Sequence, residues 1–382
     1  SDLAVAGTLC AGHCFGLGVA VVYAAPAVKS AAAASAKNAS AASKSAPLAN
    51  ASAPAVVTTE AIRYPGQEQL DRLVHDKQWS RALSFTDKLA RENPGKAYPF
   101  ILKARVYTEQ GDWLSADTAS DKAMEIEPKS AECFLIKARC QYYKNNDKLA
   151  IQLVAKAIEL DQNNPDAFEY QALFFTQSKQ FAKAVDSLDR AIKLKPKNGR
   201  LRRLKAAVYE STEENEKALK ELKIANELSP NDYTVLRSLA QLLDHIGRTK
   251  EAIPFMTQSI ASQKQPTTGY KDRARMYSKI GDHPHAIEDL NKLLSINALD
   301  DDLILLRGRE YEALKQYDKA LADYTEAIEL GSGQISQAYE TRAKLYDKMG
   351  EKNKALNDRQ LAAKIRARPA EAHLFDMPKP LK

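Results

Sequence analysis

An alanine returns every 34 residues, at Ala82, Ala116, Ala150, Ala184, Ala218, Ala252, Ala286 and Ala320, and once more at Ala355 after a step of 35. Twelve positions upstream of all but the first runs a second ladder of small residues: Ala104, Ala138, Ala172, Ala206, Ala240, Ala274, Gly308 and Ala343. Two ladders locked at one period mean one structural unit repeated about nine times. Length alone would divide 382 residues into two or three domains. The repeat overrides that expectation and gives one array, whose core is a seam between stacked units.

Each unit reads as two helices. In residues 131–162, Phe134, Ala138 and Tyr142 share one face, and Ala150, Ile151, Val154, Ala157, Ile158 and Leu160 share another. Their spacings of three, four and seven fit the helical period. Gly111, Gly247, Gly281 and Gly350 fall in the break between the halves, where a positive φ closes a helix. Pro94, Pro128, Pro196 and Pro230 end units, because proline cannot donate a helix hydrogen bond. Between residues 66 and 366 no strand pattern competes. The small residues are expected where two helices approach closely, so a larger residue at Ala172 or Ala184 would overpack the contact by about 1–3 kcal/mol.

These features resemble the tetratricopeptide repeat, a 34-residue helix-turn-helix. Phe100, Ala104 and Tyr107 match its first helix, as do Tyr270, Ala274 and Tyr277, and Tyr339, Ala343 and Tyr346. Ala184, Leu188, Ala191 and Pro196 match the second helix, and Trp79, Trp113, Phe181 and Tyr317 supply the large residue before the alanine. The resemblance covers roughly residues 63–367. It implies an all-α fold, a right-handed α-solenoid of antiparallel helix pairs. Leu70 replaces a small residue in the first unit, which reads as an atypical cap. Lys264, Ala298 and Ser332 replace closing prolines, and Gly331-Ser332-Gly333 carries the one-residue insertion, so 330–335 is the expected irregular joint.

Residues 3–27 carry no formal charge and end in Ala25-Pro26-Ala27. A cleaved export signal and a retained membrane anchor both fit this segment. Residues 28–62 are Ala/Ser-rich and read as a disordered linker, and residues 368–382 as a flexible tail. The expected location is the bacterial envelope, on the periplasmic side. Asn38-Ala39-Ser40 and Asn50-Ala51-Ser52 fit the glycosylation triplet, which such a composition generates easily.

The sequence carries no phosphate-binding glycine loop, no HExxH, no GxSxG and no CxxC. His283-Pro284-His285 has no cysteine nearby to complete a metal site, and Asp300-Asp301-Asp302 precedes a first helix, where acids cap. Cys133 and Cys140, seven apart on one helix, are about 10 Å from each other and read as packing residues. Neither an enzyme nor a cofactor or metal is expected. The net charge of +7 is mild for so long a surface, and no nucleic-acid partner is expected.

The family's groove is lined by first helices. Carried over to this chain, the groove slot holds Arg105, Arg139, Arg275, Arg309 and Lys344, with Arg203, Arg237 and Lys271 one turn earlier. Tyr98, Ile101, Tyr142 and Tyr143 project to the same side, which makes the N-terminal end the preferred site. A row of cations suits an acidic peptide or protein segment. Against this stand Glu132, Glu169, Glu210, Asp244, Asp302, Glu312, Glu340 and Asp347, which could pair with the cations across adjacent units. A chaperone-clamp site is disfavoured, because the matching slots hold no asparagine. The sequence reads as a non-enzymatic interaction scaffold. An anionic envelope glycan or polymer, and self-association through the terminal units, are the alternatives.

Overall fold

Each step of the ladder is a pair of antiparallel helices. The chain divides into two units, Ser1–Ile62 and Arg63–Lys382, and the computed structural model describes residues 64–331 and 335–367, which lie in the second. Among the described residues the pairs are α1 (Gln67–His75) with α2 (Trp79–Glu92), α3 (Tyr98–Gln110) with α4 (Trp113–Ile126), and α5 (Ala131–Tyr143) with α6 (Asp147–Leu160). Then come α7 (Pro165–Gln177) with α8 (Phe181–Leu194), α9 (Gly199–Ser211) with α10 (Asn215–Leu228), and α11 (Tyr233–His245) with α12 (Thr249–Ala261). The last are α13 (Thr267–Lys279) with α14 (His283–Ile296), α15 (Asp301–Ala313) with α16 (Tyr317–Leu330), and α17 (Ile335–Lys348) with α18 (Lys352–Arg366). The architecture is an all-α solenoid. The segments expected at 1–27, 28–62 and 368–382 fall outside the described residues, as do 332–334 of the expected joint. No helix among the described residues is long and apolar enough to cross a membrane.

All nine alanines of the first ladder, from Ala82 to Ala355, are 0 % exposed. They sit where the second helix of a unit meets its first helix, and a methyl group lets the backbones close. Gly308 carries this logic furthest. The second helix of its unit places Tyr324, a fully buried ring, against α15, and a Cβ added at Gly308 would lie 2.5 Å from Tyr324 Cε1. In the first unit Leu70 is buried with Ala82, Leu89, Leu102 and Val106, so the departure from the pattern fills the core at the array's start.

The turns inside the units share one backbone device. Gly111, Gly247, Gly281 and Gly350 occupy equivalent positions with φ between 78° and 84°. Five turns place a non-glycine residue there instead, namely Lys77, Asn145, Lys179, Glu213 and Lys315, at φ of 54–59°. Left-handed backbone costs such residues about 1–2 kcal/mol each. The turn geometry is therefore imposed by packing of the helix pair, and glycine only eases it. Between units, Ser130, Asn164, Asn198, Asp232 and Asp300 accept hydrogen bonds from first-turn N–H groups of α5, α7, α9, α11 and α15. Asp300 thus caps its helix, as the run of acids predicts.

First helices of successive units also touch one another: α1 with α3, α3 with α5, α5 with α7, α9 with α11, and α11 with α13. No two successive second helices meet to that extent. The odd-numbered helices therefore form the inner layer of the array. Its last turns are tied by Lys279 Nζ of α13, 2.8 Å from Asp244 Oδ1 of α11, and by Lys348 of α17 on Glu312 of α15.

Candidate functional site

The inner face is built from equivalent slots on the odd-numbered helices, one immediately after the small residue and one a turn earlier. Its N-terminal half is neutralised. Arg105 of α3 pairs with Glu132 of α5, and the Tyr64 hydroxyl donates to Glu132 Oε2 at 3.1 Å, so three units are knitted at one carboxylate. The Arg139 guanidinium lies 4.9 Å over the Tyr170 ring, with Nη2 3.8 Å from Glu109. Past the centre, Arg237 Nε of α11 likewise donates to Asp272 of α13 at 3.1 Å. Each is a bridge between neighbouring units.

The aromatic end is also committed to packing. Ile101 is 1 % exposed and belongs to the core with Ala104, Ala116 and Ile136, so the expectation that it lines the groove is corrected. The reason lies in the slot. Leu135 and Leu305 occupy the same position and are buried too, as is Glu169 against Arg200, whereas Arg203 and Arg237 there are half-buried and Lys271 is exposed. An apolar side chain at this border folds into the seam between units. Tyr98 stacks on Tyr64 at 5.7 Å, and Tyr142 on the buried Phe174 at 4.9 Å. Tyr143 stacks at 3.8 Å on Trp113, the first residue of a second helix, so it covers the turn edge of the array.

The centre of the face carries a half-buried pair on α9. Arg203 has a buried Nε with no hydrogen-bond partner among the described residues. Burial, and then the neighbouring Arg200 charge, lowers its pKa, though a guanidinium stays charged throughout the accessible range. Burial pushes the carboxyl of Glu210 up to about 7, with Arg203 pulling it partly back. Arg200 itself is bound to Glu169 of α7 at 2.7 Å.

The C-terminal half is open. Lys271 and Arg275 of α13, Arg309 of α15 and Lys344 of α17 are all exposed. Arg275, whose side chain is 68 % exposed, has only a loose contact with Asp272 at 3.9 Å. Lys271, Arg309 and Lys344 make no ion pair among the described residues. The carboxylates that could have neutralised them are engaged elsewhere. Asp272 holds Arg237 and Gln241, Glu312 holds Tyr324 and Lys348, Glu340 holds Arg366, and Asp347 holds Arg359. Of the acids on these three helices' inner side, Asp302 alone has no partner among the described residues.

A further charged ladder escaped the sequence reading. Arg273, Arg307 and Arg342 each grip, with two nitrogens, an aspartate sixteen residues later: Asp289, Asp323 and Asp358. These aspartates are buried, and the arginines directly precede the small residues Ala274, Gly308 and Ala343. The recurrence of Arg and Asp at that interval was the available signal. These pairs join the two helices of a unit, and the residues two positions after the arginines, Arg275, Arg309 and Lys344, are exposed.

The remaining chemical candidates resolve into structure. His283 Nδ1 lies 2.7 Å from Glu310 across a unit boundary, and His285 bonds Asp282 at the start of α14. The two histidines therefore open α14. No group of three or more His, Cys, Asp or Glu among the described residues is placed to hold a metal ion. Cys133 and Cys140 are buried free thiols, and burial pushes both up to about 11, so neither is a ready thiolate.

The Tetratricopeptide repeat family matches residues 302–330, which span α15 and α16. No curated protein matches the chain. Among solved structures, the Cut9–Hcn1 hetero-tetramer of the APC/C is similar at 16 % identity over 72 % of this chain and 54 % of that one, with a TM-score of 0.50. Pseudomonas aeruginosa pilF is similar at 20 % identity over 52 % and 91 %, with a TM-score of 0.47. YrrB, a TPR protein with an unusual peptide-binding site, is similar at 19 % identity over 49 % and 97 %, with a TM-score of 0.38. The matched unit is one of a series that repeats through every helix pair described, with both small-residue ladders buried at the helix contacts, and the chain is a tetratricopeptide-repeat protein.

Proposed function

We propose that this array is a non-enzymatic protein-interaction scaffold whose inner face, in its C-terminal half, holds an extended acidic segment of a partner protein. The repeat architecture supports the scaffold role in general. The single observation that supports the acidic ligand is the exposed set Lys271, Arg275, Arg309 and Lys344, which among the described residues has no ion pair beyond the loose 3.9 Å contact of Arg275 with Asp272. The preferred site thereby moves from the N-terminal end, whose cations and tyrosines are consumed by packing, to α13, α15 and α17. The uncharged stretch at residues 3–27 supports export or tethering, which would place the array at the outer side of a bacterial cytoplasmic membrane.

The test is binding of a labelled glutamate-rich peptide by the full chain, compared with polyphosphate of equal charge. The triple variant Arg275→Glu, Arg309→Glu and Lys344→Glu should lose at least about tenfold in affinity, since each exposed pair contributes modestly and three are reversed. A Lys193→Glu and Lys250→Glu variant, changed on second helices, should bind as wild type. Equal binding by the triple variant would refute the inner-face reading. Preference for polyphosphate would replace the protein partner with an anionic polymer.

A further inference from the structure

The last helix, α18, carries at its surface what earlier second helices bury. Each second helix from α2 to α16 packs against the first helix that follows it in the chain. The residue after its ladder alanine commonly joins that contact. Ile151 packs in a cluster with Ala167 and Phe174 of α7, Val185 in one with Leu201 of α9, and Leu321 in one with Tyr339 of α17. The equivalent Leu356 is 56 % exposed. Three residues on, Val154, Leu188, Leu222 and Tyr324 are buried, whereas α18 has the exposed Arg359, paired with Asp347 of α17. Lys352, one turn before Leu356, is exposed and makes no ion pair among the described residues. The face thus offers one large apolar side chain between two cations. Burying Arg359 under a whole further helix would be costly, so a short segment suits this face better.

The chain beyond α18 supplies one. Throughout the array the cover of a second helix is the segment that directly follows it. Where proline closes a unit, the fifth residue after it is buried: Pro99, Cys133, Leu201 and Val235 follow Pro94, Pro128, Pro196 and Pro230. Pro369 stands after α18, fourteen residues past Ala355 where those prolines stand twelve past their alanines. Leu374 falls five residues after Pro369, with Phe375 beside it, and Pro378 interrupts the stretch soon afterwards. The reach suffices. Leu374 lies seven residues past Ala367, a span of up to about 23 Å, and Leu356 lies eleven residues back, about 16 Å along the helix. We infer that residues 370–377 turn back along α18 and lay Leu374 and Phe375 on Leu356, closing this end of the array. Asp376, two residues beyond Leu374, then comes toward Lys352, one turn before Leu356. A covered end denies Leu356 to a second copy, because terminal repeats left apolar associate.

The experiment puts the photocrosslinker p-benzoylphenylalanine in place of the exposed Leu356 in the full chain. Isotopically light and heavy chains are mixed and irradiated, and crosslinked peptides are mapped by mass spectrometry. The expected product joins position 356 to residues 370–377 within one chain. The double variant Leu374→Ser and Phe375→Ser should lower its yield at least about tenfold, and Leu381→Ser should leave it unchanged. Without the probe, the same double variant should exchange the amide hydrogens of α18 at least about fivefold faster than the wild-type chain, with α13–α16 unchanged. Products joining light and heavy chains would give the face to a second copy and overturn the inference. So would the absence of a product with 370–377, a product that survives the double variant, or unchanged exchange of α18.

Discussion

Asp289→Ala tests whether the buried Arg–Asp ladder holds the C-terminal units together. Asp289 is 1 % exposed and receives Arg273 Nε at 2.8 Å and Nη2 at 2.7 Å. The arginine side chain is itself 11 % exposed. Removing one partner of a buried pair strands the other charge, which costs about 3–5 kcal/mol. Arg273 keeps a bond from Nη1 to Thr257 at 2.9 Å and lies 5.7 Å from the Tyr270 and Tyr277 rings, which places the loss near the lower end. The double variant Arg273→Met and Asp289→Leu removes the desolvated charges together and should lie within about 1.5 kcal/mol of wild type. Urea unfolding followed by far-UV circular dichroism gives the ordering. Hydrogen exchange then assigns the loss to α13–α16, since repeat arrays unfold in segments. A cost below about 1 kcal/mol for Asp289→Ala would refute the reasoning. So would a double variant as unstable as the single one.

Glu210 gives a pH-dependent counterpart. Its carboxyl is raised in the folded chain to about 7, so the folded state binds more protons than the unfolded one between the ordinary carboxylate range and pH 7, and stability falls as pH rises through that window. Glu210→Gln should therefore stabilise the array at pH 8, by up to about 3 kcal/mol, and leave it little changed at pH 4, as read by thermal melting at both values. Lys179→Gly and Lys315→Gly relieve left-handed φ at exposed turns and should each raise stability by up to about 1 kcal/mol in urea, while the same change at a helical neighbour should lower it. Gly308→Ala should lower the urea midpoint despite the better helix propensity of alanine, because the ring of Tyr324 has no room to retreat; a Gly308→Ala, Tyr324→Leu double variant should recover it.

The helix pairs were legible because their cause is local and repeated. An alanine at Ala184 or Ala218 is demanded by a helix contact that recurs at the same interval, and no distant residue decides it. Leu70 and the turn glycines were legible for the same reason, although the five turns with Lys, Asn or Glu at positive φ show that packing can impose what glycine only permits. The site was half legible. That cations line the inner helices follows from spacing, but which of them remain free depends on carboxylates reached across unit boundaries. Arg105 finds Glu132 and Arg237 finds Asp272, whereas the acids near Arg309 and Lys344 are claimed by Tyr324, Lys348, Arg366 and Arg359. Ile101 was misplaced because its slot sits at the border of face and seam, and hydrophobicity settles which way the side chain turns.

Lysine-modification footprinting tests the central claim most directly. The full chain would be acetylated briefly with and without a saturating glutamate-rich peptide, and each lysine quantified by mass spectrometry. Lys271 and Lys344, exposed on the inner helices, should be protected by the ligand, while Lys193 and Lys250, exposed on second helices, should react at unchanged rates. Protection at Lys193 and Lys250 with Lys271 and Lys344 unaffected would place the ligand on the second helices and contradict the inner-face site.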